Sequence, residues 1–447
     1  MSVVITSDVV FTGDPAELPG AYAPMPNDAT TYIDCVNDLY INQSGRKAAL
    51  SDVINFARTS SKYIVGENGL EQVPAGAPAF PYDPTTGDRL GLLLEESITN
   101  LVAQPFNFTS SNWTAAGVTA SVNTDPIGMT TLTRSTAESE HKLSMTQAGA
   151  MSSAANITTY QIVAKAGTGK FLQIAIPGRV TQTFANFDLE SGAVTMMGRG
   201  NTTQNCVPYA DGSYLCTLSC ARGATDDYSI DLAIIPTAVT LPGASYVGVA
   251  QDIQIGMLQA TAGPIEGPKS IGTASPTAGE VVATAISAEW TAYMEIRMPD
   301  VLKGFNGQSV YVFSADDLTN KNFVWVGFGS SAGSSPFAAV AGQKVNNGTL
   351  RTASLPGLGI YKPGSILKFS CRMASGKFSI VGEDGQIVTV ADADAMGYPL
   401  SRIRPGMLIN GTDTQRGSGC TLQKLIVWDG IAKSDAQMRR QYQQLSF

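Results

Sequence analysis

The chain has 447 residues, a net charge of −8 and only 15% charged residues, so it is too long for one core and too acidic for a phosphate-binding surface. Its 45 glycines and 23 prolines point to many turns and short strands rather than long helices. No run of about eighteen apolar residues exists, so no membrane insertion is expected, and the start MSVVITSDVV has neither the basic residues nor the apolar core of a signal peptide.

Six cysteines are too few for a disulfide framework at this length. Cys206, Cys216 and Cys220 form the only local group, spaced C-x9-C-x3-C, and His141 is the single histidine. No metal and no cofactor is expected. The three cysteines read as buried free thiols, with a Cys206–Cys216 bridge across the Asp211-Gly212 turn left open.

Residues 1–55 read as a polar arm with turn-forming clusters at Asp14-Pro15, Leu18-Pro19-Gly20 and Pro26-Asn27-Asp28. From Ser44 or Arg46 onwards, Ala48, Leu50, Val53, Ile54 and Phe56 recur at helical spacing and predict one short helix. So weakly apolar a segment makes a poor independent domain, and docking onto a larger body is expected of it.

Residues 56–102 have a distinct order. A polar R-T-S-S turn precedes a Tyr63-Ile64-Val65 strand, a turn at Glu67 to Gly69 and an extended run with Pro74, Pro78, Pro81 and Pro84. A second turn at Asp83 to Gly87 leads to an apolar Leu90–Leu94 strand that closes on Glu95-Glu96. The prolines fix φ and remove backbone donors, so the run is expected to lie extended over another surface. The block resembles a segment common in bacteriophage virion proteins, fibres and related appendages: F-x-R-x-S-x-x-Y-x-x-x-x-G, then P-R-F-D-Y-D-P, then G-L-L-I-E-E-x-x-T-N-L. Phe56, Arg58, Ser60, Tyr63 and Gly69 match it, as do Phe80, Tyr82, Asp83, Pro84, Gly91, Leu92, Leu93, Glu95, Glu96, Thr99, Asn100 and Leu101. The resemblance implies a virion tether carried by Phe56, Arg58, Tyr63, Phe80, Tyr82, Asp83, Pro84, Glu95, Glu96 and Asn100. Glu95 and Glu96 are expected to pin it to backbone or to Arg58.

From residue 103 to 261 the pattern turns to β. Tyr160 to Ile176 reads as two strands joined by an Ala-Gly-Thr-Gly-Lys turn, Phe187 to Thr195 as a hairpin, and Tyr214–Ser219 as a strand after the Asp211-Gly212 turn. Tyr246 to Gln259 closes the unit. Gly169-Lys170 is no phosphate loop, because Phe171 stands where Ser or Thr belongs and a strand follows. Trp113, Ala164-Lys165-Ala166-Gly167, Phe187-Asp188-Leu189 and Asp211-Gly212-Ser213-Tyr214-Leu215-Cys216 resemble a sugar-binding-module-like jelly roll of the same phage family. Ser213 and Leu215 depart from the Trp and Arg usual there.

A linker rich in Gly, Pro and Ser spans 262–278, and a second β unit covers 279–447. Leu367, Phe369, Cys371 and Met373 alternate with Lys368, Ser370 and Arg372, so one face is expected in a core. Leu422 to Trp428 reads as a buried strand, followed by a helix capped by Ser434 with Asp435 in its first turn. The ending resembles the concanavalin-like lectin domains of many fibre proteins. The expected fold is therefore mainly β: two jelly-roll-like β-sandwiches in series after an N-terminal arm with a short helix and an extended Pro-rich tether.

No catalytic set emerges. His141 has no G-x-S-x-G elbow beside it and reads as a surface strand residue, while Glu95-Glu96 and Asp316-Asp317 are adjacent pairs that point to opposite strand faces. Sugar binding fits better, through aromatics framed by hydrogen-bonding side chains: Tyr293, Tyr311, Trp325, Asp316, Asp317 and Asn322 in the second unit, Tyr209 and Tyr214 in the first. Asp316 and Asp317 are also hard oxygen ligands, but no EF-hand spacing accompanies them, and calcium is left open. The expectation is a non-enzymatic phage fibre or spike, made in the bacterial cytoplasm without a signal peptide and incorporated into the virion. Its partners would be other virion proteins through the arm, further copies of itself in a homo-oligomer (a trimer favoured), and host-surface polysaccharide, with no nucleic acid. A purely architectural head-decoration, collar or baseplate component is the alternative, and a polysaccharide depolymerase a third reading.

Overall fold

The computed structural model describes residues 28–42, 44–58, 61–94, 100, 102, 106–122, 129–147, 157–177, 183–209, 211–221, 228–262, 281–298, 310–317, 322–329, 338–344, 351–360, 362, 364–390, 400, 402–410, 413–417 and 420–445. It is mainly β and antiparallel, and among the described residues its α-helices are Leu50–Val53 and Asp435–Leu445. Neither is long and apolar enough to cross a membrane.

The first sandwich is made of two six-stranded sheets. One orders Val194–Met197, Phe184–Asp188, Phe171–Ala175, Tyr228–Ile234, Lys142–Gln147 and Trp113–Ala116. The other orders Asn201–Pro208, Tyr214–Ala221, Ile157–Ala166, Asp252–Ala262, Thr130–Arg134 and Val118–Val122. Side chains alternate across a strand, so residues two apart share a face. Leu172 and Ile174 with Ile230, Leu232 and Ile234 thus face Tyr160, Ile162 and Ala164 with Cys216, Leu218 and Cys220 in one core. The second sheet is apolar on its outer face too, where Met129, Val163, Tyr209, Leu215 and Met257 form a separate cluster.

The second sandwich packs a seven-stranded sheet, from Arg351–Ser354 through Ala338–Lys344, Phe323–Gly329, Val310–Asp316 and Arg402–Pro405 to Val281–Ala285 and Asn55–Ala57, on an eight-stranded one. In the larger sheet Leu39–Ile41, Thr31–Asp34, Cys420–Asp429, Trp290–Arg297, Ile366–Ala374, Lys377–Val381 and Ile387–Val390 follow one another. Trp290, Met294, Phe369, Cys371 and Phe378 meet Phe313, Val324, Val326, Phe328 and Ile403 between the sheets. Phe313 and Phe378 stack with planes 3° apart. The alternation expected from Leu367 to Met373 holds, with Leu367 at the core's margin and the other three inside it. After it the chain closes with the helix Asp435–Leu445. Ser434 Oγ accepts from Gln437 N at 3.4 Å, and Gln437 Oε1 accepts from Ser434 N at 2.8 Å, a reciprocal capping box.

The N-terminal segment is not a free arm. Thr31–Asp34 pairs with Cys420–Asp429, and Ile33, Cys35, Tyr40, Val53 and Ile54 are buried in the second core. The β-branched and aromatic run Thr31-Tyr32-Ile33 favours a strand, and Asp34 ends it by accepting Val36 N and Asn37 N on Oδ1 at 3.2 and 3.0 Å. The expected helix is a single turn, Leu50–Val53, and Phe56 lies on the next strand, Asn55–Ala57.

The Pro-rich block wedges between the two sandwiches. Lys62–Gly66 and Gly69–Val73 form a hairpin. Tyr63 and Val65 pack on the outer cluster of the first sandwich, with Tyr63 4.7 Å from Phe106, while Ile64 and Val73 turn the other way onto Ala79 and Leu93. Arg58 Nη2 donates to Pro74 O and Ala77 O at 2.8 and 2.6 Å, holding the run that no internal backbone ladder holds. Leu92–Leu94 then adds to Cys420–Asp429 of the second sandwich. Gly91 enters this pairing at φ +112°, with a Cβ there running into the Leu422 carbonyl, so only glycine fits. Asn100 crosses to the first sandwich, donating to Leu258 O at 3.2 Å and accepting from Val102 N and Ala260 N. Ser60, Glu95, Glu96, Thr99, Leu101 and the linker from 263 on lie outside the described residues.

Candidate functional site

Most of the C-terminal residues expected to bind glycan do come together. Cross-strand register sets Trp325 beside Ser314 and Arg404, and Phe323 beside Asp316 and Arg402, on the outer face of the smaller sheet. Tyr311 meets Trp325 edge-on at 5.2 Å. Asp316 Oδ1 accepts from Arg402 Nε at 2.6 Å while Oδ2 lies 2.8 Å from Arg404 Nε, and Asn322 Nδ2 donates to Asp317 Oδ2 at 2.7 Å. The face is nevertheless closed: Trp325 is 5% exposed, Asp316 and Asn322 4%, and Arg404 1%. The hairpin Met407–Asn410/Asp413–Gly417 packs beside Val310–Asp316. Gly342 has no Cβ, which lets the Trp325 indole lie flat on the neighbouring strand. Trp325, Asp316 and Asn322 therefore hold the sheet together and cannot offer themselves to a sugar as expected. Tyr293, on the other sheet, is fully buried with Tyr32, Ile426 and Trp428 and offers no face to a sugar either.

An open cleft of about 470 Å³ lies elsewhere, between the Asp34–Asp38 turn, the turn from Asp83 to Arg89 and the outer face of the larger sheet. Register places Asp34, Lys424, Glu295 and Lys368 side by side on four adjacent strands, an alternating row of charge. Lys424 Nζ lies 3.4 Å from Glu295 Oε1 and Lys368 Nζ 4.0 Å from Glu295 Oε2. Opposite charges on neighbouring strands support one another. Tyr293 OH donates to Glu295 Oε1 at 2.9 Å, and Tyr32 OH donates to Asp34 Oδ2 at 3.4 Å. Burial first, then the Asp34 carboxylate, holds the Tyr32 phenol well above its usual range, so it remains a neutral donor.

The facing wall comes from the tether block. Asp83 Oδ1 accepts from Thr85 N and Thr86 N at 2.8 and 3.1 Å, which shapes the turn. Arg89 lies 4.0 Å over the Phe80 ring and 3.4 Å from Asp38, so its guanidinium is fixed at the mouth. Asn37, Thr86 and Asp88 stand exposed at the rim, and Ile366, 45% exposed, supplies an apolar surface between them. The cleft thus offers donors, acceptors and one apolar face in a concavity, the requirements for holding a small polar ligand. Among the described residues no group of three or more His, Cys, Asp or Glu side chains is placed to hold a metal ion. Among the residues singled out from sequence, Asp83 lines this cleft as a tether residue and Phe80 carries Arg89 beside it, while Tyr293 and Lys368 support it from the sheet through Glu295. The missed signal is a pair of Tyr-x-acid strands, Tyr32-Ile33-Asp34 and Tyr293-Met294-Glu295, whose two members share a face.

In the first sandwich the expected Tyr209–Tyr214 platform does not form. Tyr209 is opposite Ser213 and buried under the tether hairpin, while Tyr214 lies toward the inner core with its OH donating to Glu190 O at 2.9 Å. His141 is 1% exposed rather than a surface residue. Its Nδ1 lies 2.8 Å from Gly117 O and its Nε2 3.0 Å from Tyr246 O, so both ring nitrogens face backbone carbonyls rather than a nucleophile.

No protein-family model and no curated protein matches the chain. Among solved structures it is similar to mouse laminin alpha1 chain, domains LG4-5, at 10% identity and TM-score 0.21, covering 74% of this chain and 91% of that one. It is also similar to Trypanosoma rangeli sialidase, alone and in complex with sialic acid, at 9% identity and TM-score 0.24, covering 74% of this chain and 63% of the sialidase. Superpositions this loose carry no argument about activity.

Proposed function

We propose that this chain is a non-enzymatic phage virion appendage protein of the fibre or spike type that attaches the particle to host-surface glycan. The observation that carries the binding role is the open cleft of about 470 Å³, walled on one side by the tether block and on the other by the second sandwich. Glycan hydroxyls both donate and accept hydrogen bonds, and there Asp88 offers acceptors, Lys424 donors, and Asn37 and Gln423 both. The carboxylates on the cleft's floor are already committed, Glu295 to Lys424 and Tyr293, Asp34 to Asn37 and its own turn, which leaves Asp88 at the rim to accept from a ligand. Such groups position a ligand rather than exchange protons with it. The virion assignment rests on the tether resemblance, and a homotrimer fits it by raising weak single-site affinity through multivalency.

The test is binding of the full chain to a panel of bacterial surface polysaccharides, with Asn37→Ala and Asp88→Ala beside it. Both residues are exposed, so the variants are expected to fold, and each should weaken binding about tenfold if it loses a hydrogen bond to a charged or polar sugar group. Wild-type affinity in both variants would remove the cleft from the account.

One observation favours the architectural alternative. Val239, Leu241, Val247 and Val249 stand between 46% and 69% exposed on one stretch after Tyr228–Ile234 of the first sandwich. Packed on a neighbouring virion protein, that stretch would serve assembly without any sugar. No polysaccharide binding by an oligomeric preparation would favour this reading.

A further inference from the structure

We propose that Cys206 and Cys216 are a latent cross-strand disulfide, which closes when the protein leaves a reducing compartment and clamps the hairpin on which the tether block is seated. The two residues are direct partners in the register of Asn201–Pro208 with Tyr214–Ala221. Their sulfurs lie 3.6 Å apart. The pairing parity is the permissive one. Tyr209 N donates to Ser213 O at 2.8 Å, which makes 209/213 a hydrogen-bonded pair. Counting back along the regular register, 208/214 is non-hydrogen-bonded, 207/215 hydrogen-bonded and 206/216 non-hydrogen-bonded. Pro208, which has no N–H, sits where none is needed, and Cys206 N turns aside to Asn205 Oδ1 at 2.8 Å. Non-hydrogen-bonded pairs bring Cα atoms to about 4.5 Å, within the range a disulfide spans.

Cys220 is no competitor. It is opposite Asn201 and Thr158, four residues from Cys216 along the same strand. Cys35, Cys371 and Cys420 are buried in the second sandwich. The location gives the bridge a consequence. Tyr209 and Leu215, flanking the same hairpin turn, carry Tyr63 and Val65 of the tether block, and Gly69 lies against Asp211. A covalent tie between the two strands fixes the surface on which that block rests.

The exchange balances with a low-molecular-weight disulfide such as oxidised glutathione. The Cys206 thiolate, on the more exposed edge strand, attacks one glutathione sulfur and expels a glutathione thiolate. The Cys216 thiolate then attacks the Cys206 sulfur and expels the second, so one disulfide forms as another is reduced to two thiols. The two cysteine protons pass to water and the departing thiolates. Burial holds the Cys216 thiol well above its usual range, which makes the second exchange the slow one.

The test takes the full chain, purified reduced, and equilibrates it under native conditions with oxidised glutathione. Free thiols should fall from six to four, because one bridge consumes two, and the intact mass should drop by two hydrogens. Fragmentation of the tryptic peptide between Arg199 and Arg222 should join Cys206 to Cys216 and leave Cys220 free. Cys206→Ser should keep its remaining thiols, while Cys220→Ser should still lose two. Six persistent thiols, a glutathione adduct on Cys206 that never resolves, or a bridge through Cys220 would each overturn the proposal. None of these readouts depends on glycan binding.

Discussion

The two sandwiches are assembled in different ways. The first takes all of its twelve strands from one uninterrupted stretch, Trp113 to Ala262. The second takes strands from Thr31–Asp34, Leu39–Ile41, Asn55–Ala57 and Leu92–Leu94 as well as from the C-terminal third. The first is thus inserted between pieces of the second, and the tether block marks the crossing point. A chain that enters one domain, leaves to build another and returns brings two distant segments to one cleft, and here those segments are the Asp34–Asp38 turn and strand Trp290–Arg297.

This contrast can be broken by truncation. Removing residues 1–57 should abolish the folded state of the second sandwich while the first survives, since the deletion strips three strands and the buried Ile33, Tyr40, Val53 and Ile54. Each such side chain contributes about 1.5–3 kcal/mol on burial, against a total stability of about 5–15 kcal/mol for a domain. Calorimetry of the truncated chain should show one unfolding transition in place of two. Residues 279–447 folding alone with unchanged stability would contradict the interleaved account.

Single core substitutions sharpen it. Trp290→Ala should cost about 3–5 kcal/mol and lower only the transition of the second sandwich, while Leu232→Ala should cost about 2–5 kcal/mol and lower only that of the first. At the crossing point, Gly91→Ala should cost about 1–3 kcal/mol, from strain at φ +112° and the Leu422 carbonyl in its way. Its effect should fall on the second sandwich, whose strand Leu92–Leu94 it displaces.

The smallest effect concerns pH and only the first sandwich. Hydrogen bonds from the Thr168 side chain and backbone hold the Asp252 carboxyl below its usual range. A depressed folded value means the stabilisation is complete above the unfolded value of about 3.9 and is lost as pH falls through the folded one. The difference in unfolding midpoint between wild type and Asp252→Asn should therefore be largest near neutral pH and shrink below about pH 4.

Much of the first sandwich was legible because its signals are local: the Ala-Gly-Thr-Gly-Lys turn within Tyr160 to Ile176, and the Asp211-Gly212 turn before Tyr214–Ser219, announce the strands Ile157–Ala166, Phe171–Ala175 and Tyr214–Ala221 without reference to anything distant. The role of the N-terminal segment was not, because Thr31-Tyr32-Ile33 is too short to signal a strand until Cys420–Asp429 pairs with it. The cleft was illegible for the same reason, being made by register between strands far apart in the chain. Composition also misled about aromatics. Trp325 and Tyr293 have the chemistry of sugar platforms, but Trp325 lies against the strand at Gly342 and Tyr293 sits inside the Tyr32–Trp428 cluster, and both are buried. Residue type names what a ring can do, while exposure decides whether it does.

The most direct measurement is a crystal structure of the full chain soaked with an oligosaccharide from whichever surface polysaccharide it binds. Sugar is expected between Asn37, Asp88 and Lys424, with a ring face over Ile366. Sugar bound on the first sandwich or over Tyr311 instead, with the cleft empty, would contradict that placement.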